Sequence, residues 1–392
     1  MNTTTQASLQ TTGIEPLVEA SPARLLSLDV FRGFTVLTMV LVNHPGDWGH
    51  IYEPLEHAKW NGCTIADLVF PFFLFIVGVS AVYALDRSRQ DPALRPAALR
   101  GVWRRAALLV GIGVLVALLP YFDFGAVRLP GVLQRIGLVF GVCGTLFLYT
   151  SRRQQLWLVA VLLIGYNILM QLVPVPGHGP ANLEPETNLG AWFDRLVFTE
   201  SHLWQYSRTW DPEGLLGTLP AVGTGLLGVL AGQWLRRKDV EPAAKVAWLF
   251  VDAVLLTALG LLWNLWFPIN KALWTSSFVL FVGGLALALL ATLYWLCDVQ
   301  GWRRGLAWAQ VAGVNALLVF VGTTLVARTL NMWTVTGPAG TPVGMQEWLY
   351  GRFFVPYFAS PYVASLAGAV VCVAIWYGVL WVLYRRRIVV KL

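Results

Sequence analysis

Long apolar segments constrain this chain more than any other feature. Runs of about 18 to 24 residues with few charges recur along the sequence, each long enough to cross the hydrocarbon core of a bilayer as a helix. They lie near residues 26–43, 65–85, 103–121, 131–149, 155–174, 214–235, 247–267, 273–296, 306–327 and 361–384. Because a helix satisfies its own backbone hydrogen bonds where water is absent, the sequence predicts an all-α, polytopic integral membrane bundle of about ten transmembrane helices.

The composition supports lipid as the main solvent. Apolar residues make up 57% of the 392 residues and charged residues 12%, about half the charge of an average soluble domain. A soluble enzyme, a disordered chain and a disulfide-stapled secreted module are excluded. The four cysteines, Cys63, Cys143, Cys297 and Cys372, are widely scattered, so we expect neither a disulfide framework nor a bound metal.

The basic residues predict the orientation of the bundle. With the N-terminus inside, most of the 28 Lys and Arg residues fall in cytoplasmic segments, as the positive-inside rule requires. The outer segments hold Lys59, Arg128, Arg195, Arg208, Lys271, Arg328 and Arg352, while Arg32 and Arg135 lie within spans. Both termini are therefore predicted to be cytoplasmic. The net charge of +7 is then a topology signal, and no nucleic-acid partner is expected.

The segments outside the spans differ in length and charge. Residues 1–23 are polar, lack the features of a cleaved signal, and are predicted to form a flexible cytoplasmic tail ahead of one transmembrane domain, 24–392. Two long extracytoplasmic loops are predicted at 175–213 and 328–360. The first is acidic and aromatic, which suits a cationic or sugar-like partner, although extracytoplasmic loops are polar in general.

Histidines cluster in the first outer loop. His44, His50 and His57 lie within one short segment that holds three of the five histidines of the chain. Histidine titrates near neutral pH and can take up and return a proton during group transfer. Solvated loop histidines would give the same spacing, so both interpretations stand at this point.

Two acidic motifs fit either a helix start or a site. Thr64-x-x-Asp67 before an apolar run resembles a capping box, in which Asp67 serves the helix N-terminus. Asp211-Pro-Glu213-Gly also makes a good helix start, with Asp at the N-cap and Pro at the first helical position. The same residues would set carboxylates at the outer membrane surface.

Polar side chains inside a bilayer are costly and so are candidates for function. Arg135 lies a few residues into the fourth run, and an intramembrane arginine usually faces the bundle interior or a polar cavity, unless it snorkels to the interface. Asn270, Lys271 and Asn315 lie in or beside spans, where interhelical hydrogen bonding is the default role.

The predicted topology sets most of these groups at one end of the bundle. The outer helix ends hold Asn43, His57, Asp67, Arg135, Asp211, Glu213, Asn270 and Lys271. Gathered around one outward-facing cavity, a proton acceptor, an amide, carboxylates and cations are the parts of a transfer catalyst. They would equally suit the binding site of a transporter.

Several ordered motifs resemble a known family. Leu28-Asp29-x-Phe31-Arg32-Gly33 leads to Asn43 and then to His57-Ala-Lys-Trp60-Asn61-Gly62-Cys-Thr64-Ile-Ala-Asp67, followed by Pro130-Gly-Val-Leu-Gln134-Arg135, Asp211-Pro-Glu-Gly214, Asn270-Lys271-x-Leu-Trp274 and Asn315. Together they are similar to the membrane core of the heparan-α-glucosaminide N-acetyltransferase family and its bacterial homologues, within the transmembrane acyltransferases.

The resemblance implies a homodimer in a bacterial inner membrane that moves acetyl from cytosolic acetyl-CoA to an amine of a glucosamine-type sugar on the extracytoplasmic side. It maps the family's active-site histidine onto His57 and the neighbouring asparagine onto Asn43. Asp67, Arg135, Asp211, Glu213, Asn270, Lys271 and Asn315 are further candidates for binding the acceptor or the donor. We expect this chain to lack the extra first helix and lumenal domain of the animal enzymes and to have a slightly longer first outer loop.

These observations are consistent with three functions. The first is acetyl transfer to an amine, in which His57 acts as a general base or as a transient acetyl carrier and Asn43 donates a hydrogen bond to the thioester oxygen. Arg135 and Lys271 would contact donor phosphates or the developing anion. The opening Leu-Asp-x-Phe-Arg-Gly also resembles acyltransferases of cell-surface polysaccharides, which makes an O-acyl acceptor the first alternative. A transporter of a sugar-like ligand is the second.

Overall fold

The computed structural model describes residues 25–337 and 341–390, so the tail predicted for 1–23 lies outside the described residues. The chain folds into helices almost throughout. In order, they are α1 Leu26–Asn43, α2 Ile65–Gln90, α3 Arg95–Leu118, α4 Val132–Tyr149, α5 Arg152–Leu172, α6 Leu189–Phe198, α7 Thr218–Leu235, α8 Pro242–Trp263, α9 Ser276–Tyr294, α10 Ala307–Val314, α11 Ala316–Met332, α12 Met345–Phe353 and α13 Pro361–Arg385.

The all-α membrane bundle is confirmed. Within the described ranges, nine helices are long and apolar enough to cross a bilayer, or ten if one bent pair counts as a single span. That pair is α10 and α11, which meet at an angle of 72°. The break falls at Asn315, where the backbone leaves helical geometry. The run predicted at 306–327 is therefore a broken helix and not a straight one.

Local capping signals explain where several helices begin. Thr64 and Asp67 form the capping box predicted for α2, and Ser151 and Gln154 form another at the start of α5. Of the two interpretations of Asp211-Pro-Glu213-Gly, the helix start does not hold, because residues 211–217 form turns and α7 begins at Thr218. The Asp211 carboxylate instead accepts a hydrogen bond from the backbone N–H of Glu213 at 2.9 Å and pairs with Arg128.

The helices form an inner group and an outer group. Helices α1, α2, α4, α7 and α9 bury most of their length against one another. Helices α3, α5, α8 and α13 are largely exposed and carry apolar side chains outwards. In a membrane protein, such a surface faces lipid.

Glycines allow the inner helices α2 and α7 to approach closely. A Cβ atom on Gly78 would lie 2.0 Å from the carbonyl oxygen of Gly225, and one on Gly228 would lie 2.1 Å from that of Phe75. No side chain fits at either distance. Small residues at helix contacts are the usual device for packing in lipid, where dispersion contacts replace the hydrophobic effect.

The two long loops contain short ordered elements. Residues 175–213 include the amphipathic helix α6 and the 3₁₀ turn Glu200–His202. Residues 328–360 include the end of α11, an antiparallel pair of strands and α12, followed by the 3₁₀ turn Val355–Tyr357. The strands are β1, Thr334–Thr336, and β2, Pro342–Gly344, in register with Val335 opposite Val343. The remaining short elements of the chain are the 3₁₀ turns Glu53–Leu55 and Pro92–Leu94 and the π-helix Trp295–Val299.

Polar contacts hold the helices together at the end of the bundle where α1 begins. Asp298 accepts hydrogen bonds from the backbone N–H groups of Leu26 and Ser27, both at 3.0 Å, and so caps α1 from another part of the chain. Arg236 after α7 pairs with Asp86 of α2 at 2.6 Å. The other end of the bundle carries His57 and is called the His57 end below.

The close approach of α2 and α7 predicts the effect of a single methyl group. Gly228→Ala forces the two helices apart, and we expect it to lower the thermal unfolding temperature of the detergent-solubilised protein. Gly165→Ala on α5 is the matched control, since a Cβ there meets nothing within 4 Å and alanine favours a helix by roughly 0.5–1 kcal/mol over glycine. Equal melting temperatures for the two variants would contradict the packing account.

Candidate active site at the His57 end

The His57 end gathers loops that are distant in sequence. Trp60 donates a hydrogen bond to the carbonyl of Leu183 at 3.0 Å, and Gly62 donates one to the carbonyl of Ile269 at 2.7 Å. The first interhelical loop is thereby joined to the loop before α6 and to the loop between α8 and α9. His57, Asn270 and Lys271 lie on these segments, and Asp67 lies in the first turn of α2.

His57 is held by a buried carboxylate. Its Nδ1 atom lies 2.8 Å from Oδ1 of Asp67, whose side chain is 2% exposed, while 46% of the His57 side chain is accessible. An ionised carboxylate only accepts hydrogen bonds, so this contact favours the tautomer with its proton on Nδ1 and its lone pair on Nε2. A carboxylate behind an imidazole thus fixes the tautomer and orients the ring.

Asp67 combines the two roles that the sequence left open. Its Oδ2 atom accepts hydrogen bonds from the backbone N–H groups of Ala58 and Thr64, both at 3.1 Å, and from the Thr64 hydroxyl at 3.2 Å. Its other oxygen contacts His57. The capping interaction therefore fixes the carboxylate that orients the imidazole.

Lys271 completes this group from the loop between α8 and α9. Its Nζ atom lies 3.4 Å from Oδ1 of Asp67 and 3.1 Å and 3.5 Å from Nδ1 and Nε2 of His57. The ammonium balances the buried carboxylate. It also puts a positive charge beside the accessible face of the imidazole, where negative charge can be stabilised.

The position of Lys271 depends on a neighbouring amide pair. Asn270 is fully buried, donates a hydrogen bond to Oδ1 of Asn61 at 3.2 Å, and accepts one from the backbone of Leu273 at 2.8 Å. Gly62, the residue after Asn61, has a φ of +115°, a left-handed conformation that favours glycine. Asn270 acts here as a connector between loops, which is the default role predicted for it.

Other titratable groups near the first loop are less suited to transfer chemistry. Burial raises the pKa of the Cys63 thiol to about 12, with a further contribution from Asp67, so the thiol stays protonated at neutral pH. Burial lowers the pKa of His44 to about 4, which keeps that ring neutral. His50 pairs with Asp47 at 2.6 Å in a separate contact.

Asp211 and Glu213 form an ion cluster with Arg128. The Arg128 guanidinium makes two hydrogen bonds to the Asp211 carboxylate, with Nε at 2.8 Å from Oδ2, and also contacts Glu213. Burial lowers the pKa of Arg128, but the two carboxylates outweigh it and leave the pKa above its ordinary value. Both acids are thus paired with the same arginine within the protein.

Arg135 faces the bundle interior and does not snorkel. It is 1% exposed, donates a hydrogen bond from Nη2 to the carbonyl of Gly214 at 2.7 Å, and lies over the Trp274 ring at 5.0 Å. Its Nε and Nη1 atoms have no hydrogen-bond partner in the described part of the chain. The arginine ties α4 to the turn before α7.

The two remaining asparagines lie in different places. Asn43 is the last residue of α1 and is exposed at the His57 end. Asn315 is buried at the break between α10 and α11 and hydrogen bonds to the backbone of Ile388 and Val390, beyond α13. Asn315 therefore lies apart from the group around His57 and contacts the segment that follows the end of α13.

A narrow cleft next to this group contains a carboxylate that sequence reasoning missed. Its walls include Trp60, Trp210, Asp194, Asp211 and Leu273. Asp194 comes from α6, where it is one acid among several in an acidic loop, so no pattern set it apart. Burial raises the pKa of Asp194 to about 7; Asp211 adds to this, while the Leu215 N–H, Arg135 and Arg195 oppose it. Among the described residues, no three His, Cys, Asp or Glu side chains gather as metal ligands.

Comparisons with known proteins identify the family of this chain. A family model described as "Heparan-alpha-glucosaminide N-acetyltransferase, catalytic" matches residues 24–261. The chain belongs to the heparan-alpha-glucosaminide N-acetyltransferase family.

Two mammalian members of this family give the scale of the likeness. Heparan-alpha-glucosaminide N-acetyltransferase of Homo sapiens is 33% identical over 358 residues, covering 78% of this chain and 53% of the human protein. That of Mus musculus is 32% identical, covering 77% of this chain and 54% of the mouse protein. The chain thus spans about half the length of the curated relatives it matches.

The buried Asp194 carboxyl predicts a pH-dependent stability. An exposed Asp in the unfolded chain titrates near ~3.9, so the folded protein holds an extra proton between about pH 4 and 7. The contribution of this protonated carboxyl to the free energy of unfolding is complete below about pH 4 and is lost as the pH rises through about 7. Asp194→Asn should melt at the wild-type temperature near pH 4 and a few degrees higher at pH 8.

The measurement is thermal unfolding in detergent across this pH range. Glu200→Gln, at an exposed acid of the same loop, is the matched control and should follow the wild type throughout. Parallel curves for Asp194→Asn and the wild type would show that the carboxyl titrates normally.

Proposed function

We propose that this protein transfers acetyl from acetyl-CoA to an amine of a glucosamine-type sugar. The observation that carries the proposal is the half-exposed His57 ring held at Nδ1 by buried Asp67. Membership of an N-acetyltransferase family supports the reaction class. We treat the substrate as a proposal for this chain, because it spans only about half of its curated relatives.

The chemistry needs a base at the acceptor nitrogen. A protonated amine has no lone pair, so it must lose a proton before its nitrogen attacks the thioester carbonyl. As the C–N bond forms, His57 Nε2 removes the second proton from nitrogen. The C–S bond then breaks, and the sulfur of the leaving CoA takes that proton from the imidazolium, which the Asp67 carboxylate stabilises.

A second route uses the same nitrogen as a nucleophile. Nε2 of His57 would attack the thioester and carry the acetyl group until the amine displaces it. Both routes require an unprotonated and accessible Nε2, which the contact between Nδ1 and Asp67 favours. Labelled acetyl-CoA without acceptor would label the protein only on the second route.

One group beside His57 fits the thioester carbonyl of acetyl-CoA: the Lys271 ammonium, which lies within 3.5 Å of the imidazole. Asn43, whose role follows from the family resemblance, offers an exposed amide where α1 ends at the same end of the bundle. We assign Asn43 and Lys271 to stabilising the oxyanion that develops there; one such donor is typically worth about 3–4 kcal/mol. Arg135 is enclosed by Trp274 and Gly214, and we assign it to holding the turn before α7.

The proposal includes a direction across the membrane. The bias of basic residues supports cytoplasmic termini and an extracytoplasmic His57 end. Acetyl-CoA is too polar to cross lipid, so its pantetheine arm would have to thread between the helices from the cytoplasm. We expect the protein in a bacterial cell membrane, as a homodimer, which rests on the family resemblance.

The decisive experiment separates transfer from transport. Purified protein is reconstituted in liposomes, with labelled acetyl-CoA on one face and glucosamine on the other. We expect acetylated sugar with the native sequence and a loss of at least about 100-fold with His57→Ala, the size typical of removing a general base. Asp67→Asn should lower the rate by a smaller factor, because the tautomer is no longer fixed.

His50→Ala provides the matched control, since His50 has its own Asp partner in the same loop. It should leave the rate within about twofold of wild type, well inside the general-base effect. Acetylation of hydroxyl groups instead of the amine would favour an O-acyltransferase. Movement of intact glucosamine without acetylation would favour a transporter and overturn the proposal.

A further inference from the structure

The cleft that contains Asp194 is the feature of the His57 end that the proposed chemistry does not use. About 290 Å³ of space lies between its walls, part of it open to solvent. The enclosed part measures about 20 Å³, which is room for about one water-sized group. The cleft therefore fits a hydroxyl at the edge of a sugar ring, with the ring itself at the open mouth.

One oxygen of Asp194 is available in this cleft. Oδ1 accepts a hydrogen bond from the backbone N–H of Leu215 at 2.8 Å, which fixes the carboxyl group. Oδ2 accepts no hydrogen bond from the described residues. Asp194 as a whole is 3% exposed. Gly214 is tightly placed against it, since a Cβ there would lie 1.9 Å from Oδ2. The backbone therefore leaves no room for a side chain between the carboxyl and the turn.

Aromatic rings form the wall beside this carboxyl group. Trp60 and Trp210 meet edge to face with ring centres 5.1 Å apart, and Trp204 contacts Trp210 at 5.4 Å. The Trp60 indole is fixed by its hydrogen bond to Leu183. Such a wall is preorganised, since neither ring needs to be ordered when a ligand enters.

The cleft wall and the His57 group share two chain segments. Trp60 follows His57 by three residues, and Leu273 follows Lys271 by two. We therefore expect a ring at the mouth of the cleft to extend towards the imidazole and the ammonium. Polar groups in a mostly enclosed aromatic cleft are typical of sites that orient a small polar ligand.

We propose that this cleft is the sugar subsite of the acceptor, in which Asp194 Oδ2 accepts hydrogen bonds from ring hydroxyls and Trp60 and Trp210 pack against the C–H face of the ring. The inference rests on the proposed function. It assigns the amine to His57 and the hydroxyls to Asp194, so one ring is held at two points. Asp194 is then a specificity-determining residue, because amines without hydroxyls gain nothing from it.

The test compares two acceptors in Asp194→Asn at pH 8, where the Asp194 carboxyl, whose pKa burial raises to about 7, is mostly ionised in the wild type. Asn keeps the oxygen that caps Leu215 but loses the charge that strengthens hydrogen bonds from hydroxyls. With D-glucosamine, we expect KM to rise about 10-fold or more, the loss of one charge-assisted hydrogen bond, with kcat within about twofold. With cyclohexylamine, a ring amine without hydroxyls, both constants should stay unchanged. Glu200→Gln is the matched control and should behave as wild type with both amines.

Direct binding separates failure of this inference from failure of the proposed function. Binding of D-glucosamine to the purified protein in detergent is measured without acetyl-CoA, for wild type and for Asp194→Asn. Weaker binding in the variant supports the subsite even if no acetyl transfer is detected with any amine. Unchanged binding overturns it, as does an equal loss of activity with glucosamine and cyclohexylamine, which would make Asp194 purely structural.

Discussion

The absence of water inside a bilayer constrains every polar group in this protein. Backbone groups are satisfied by helices, and buried charges must find partners within the protein. Asp67 meets this demand with two backbone N–H groups, the Thr64 hydroxyl, His57 and Lys271. An imidazole aimed by such a carboxylate has little freedom to turn. The same pairing that makes the charge tolerable thus prepares the site for chemistry.

The loop from His57 to Asp67 is organised by the segment between α8 and α9. Asn270 contacts Asn61, Gly62 donates to Ile269, and Lys271 reaches His57. The two segments are about 200 residues apart in sequence, so neither can adopt this geometry by local propensity alone. A change in either is expected to alter the other, as is general for residues within one hydrogen-bonded network.

The structure separates the candidate residues into two groups by their contacts. Asp67 and Lys271 contact the accessible imidazole of His57, whereas Asp211 and Glu213 are engaged by Arg128. Carboxylates that are already paired contribute mainly to holding the turn before α7. A carboxylate with an available oxygen, such as that of Asp194, is better suited to a ligand, because binding then replaces no internal bond.

The sequence alone determined the membrane bundle, the number of spans and the capping box at Thr64 and Asp67, since long apolar runs and capping motifs act locally. It also singled out His57 and Lys271 as neighbours of the outer helix ends. Only the tertiary structure decided that they meet, that Arg128 pairs with Asp211, and that Asn315 lies elsewhere. Asp194 could not be recognised from the sequence, because an acid in a polar loop looks ordinary until packing removes its water. Burial and long-range pairing are properties of the folded chain, and no local pattern encodes them.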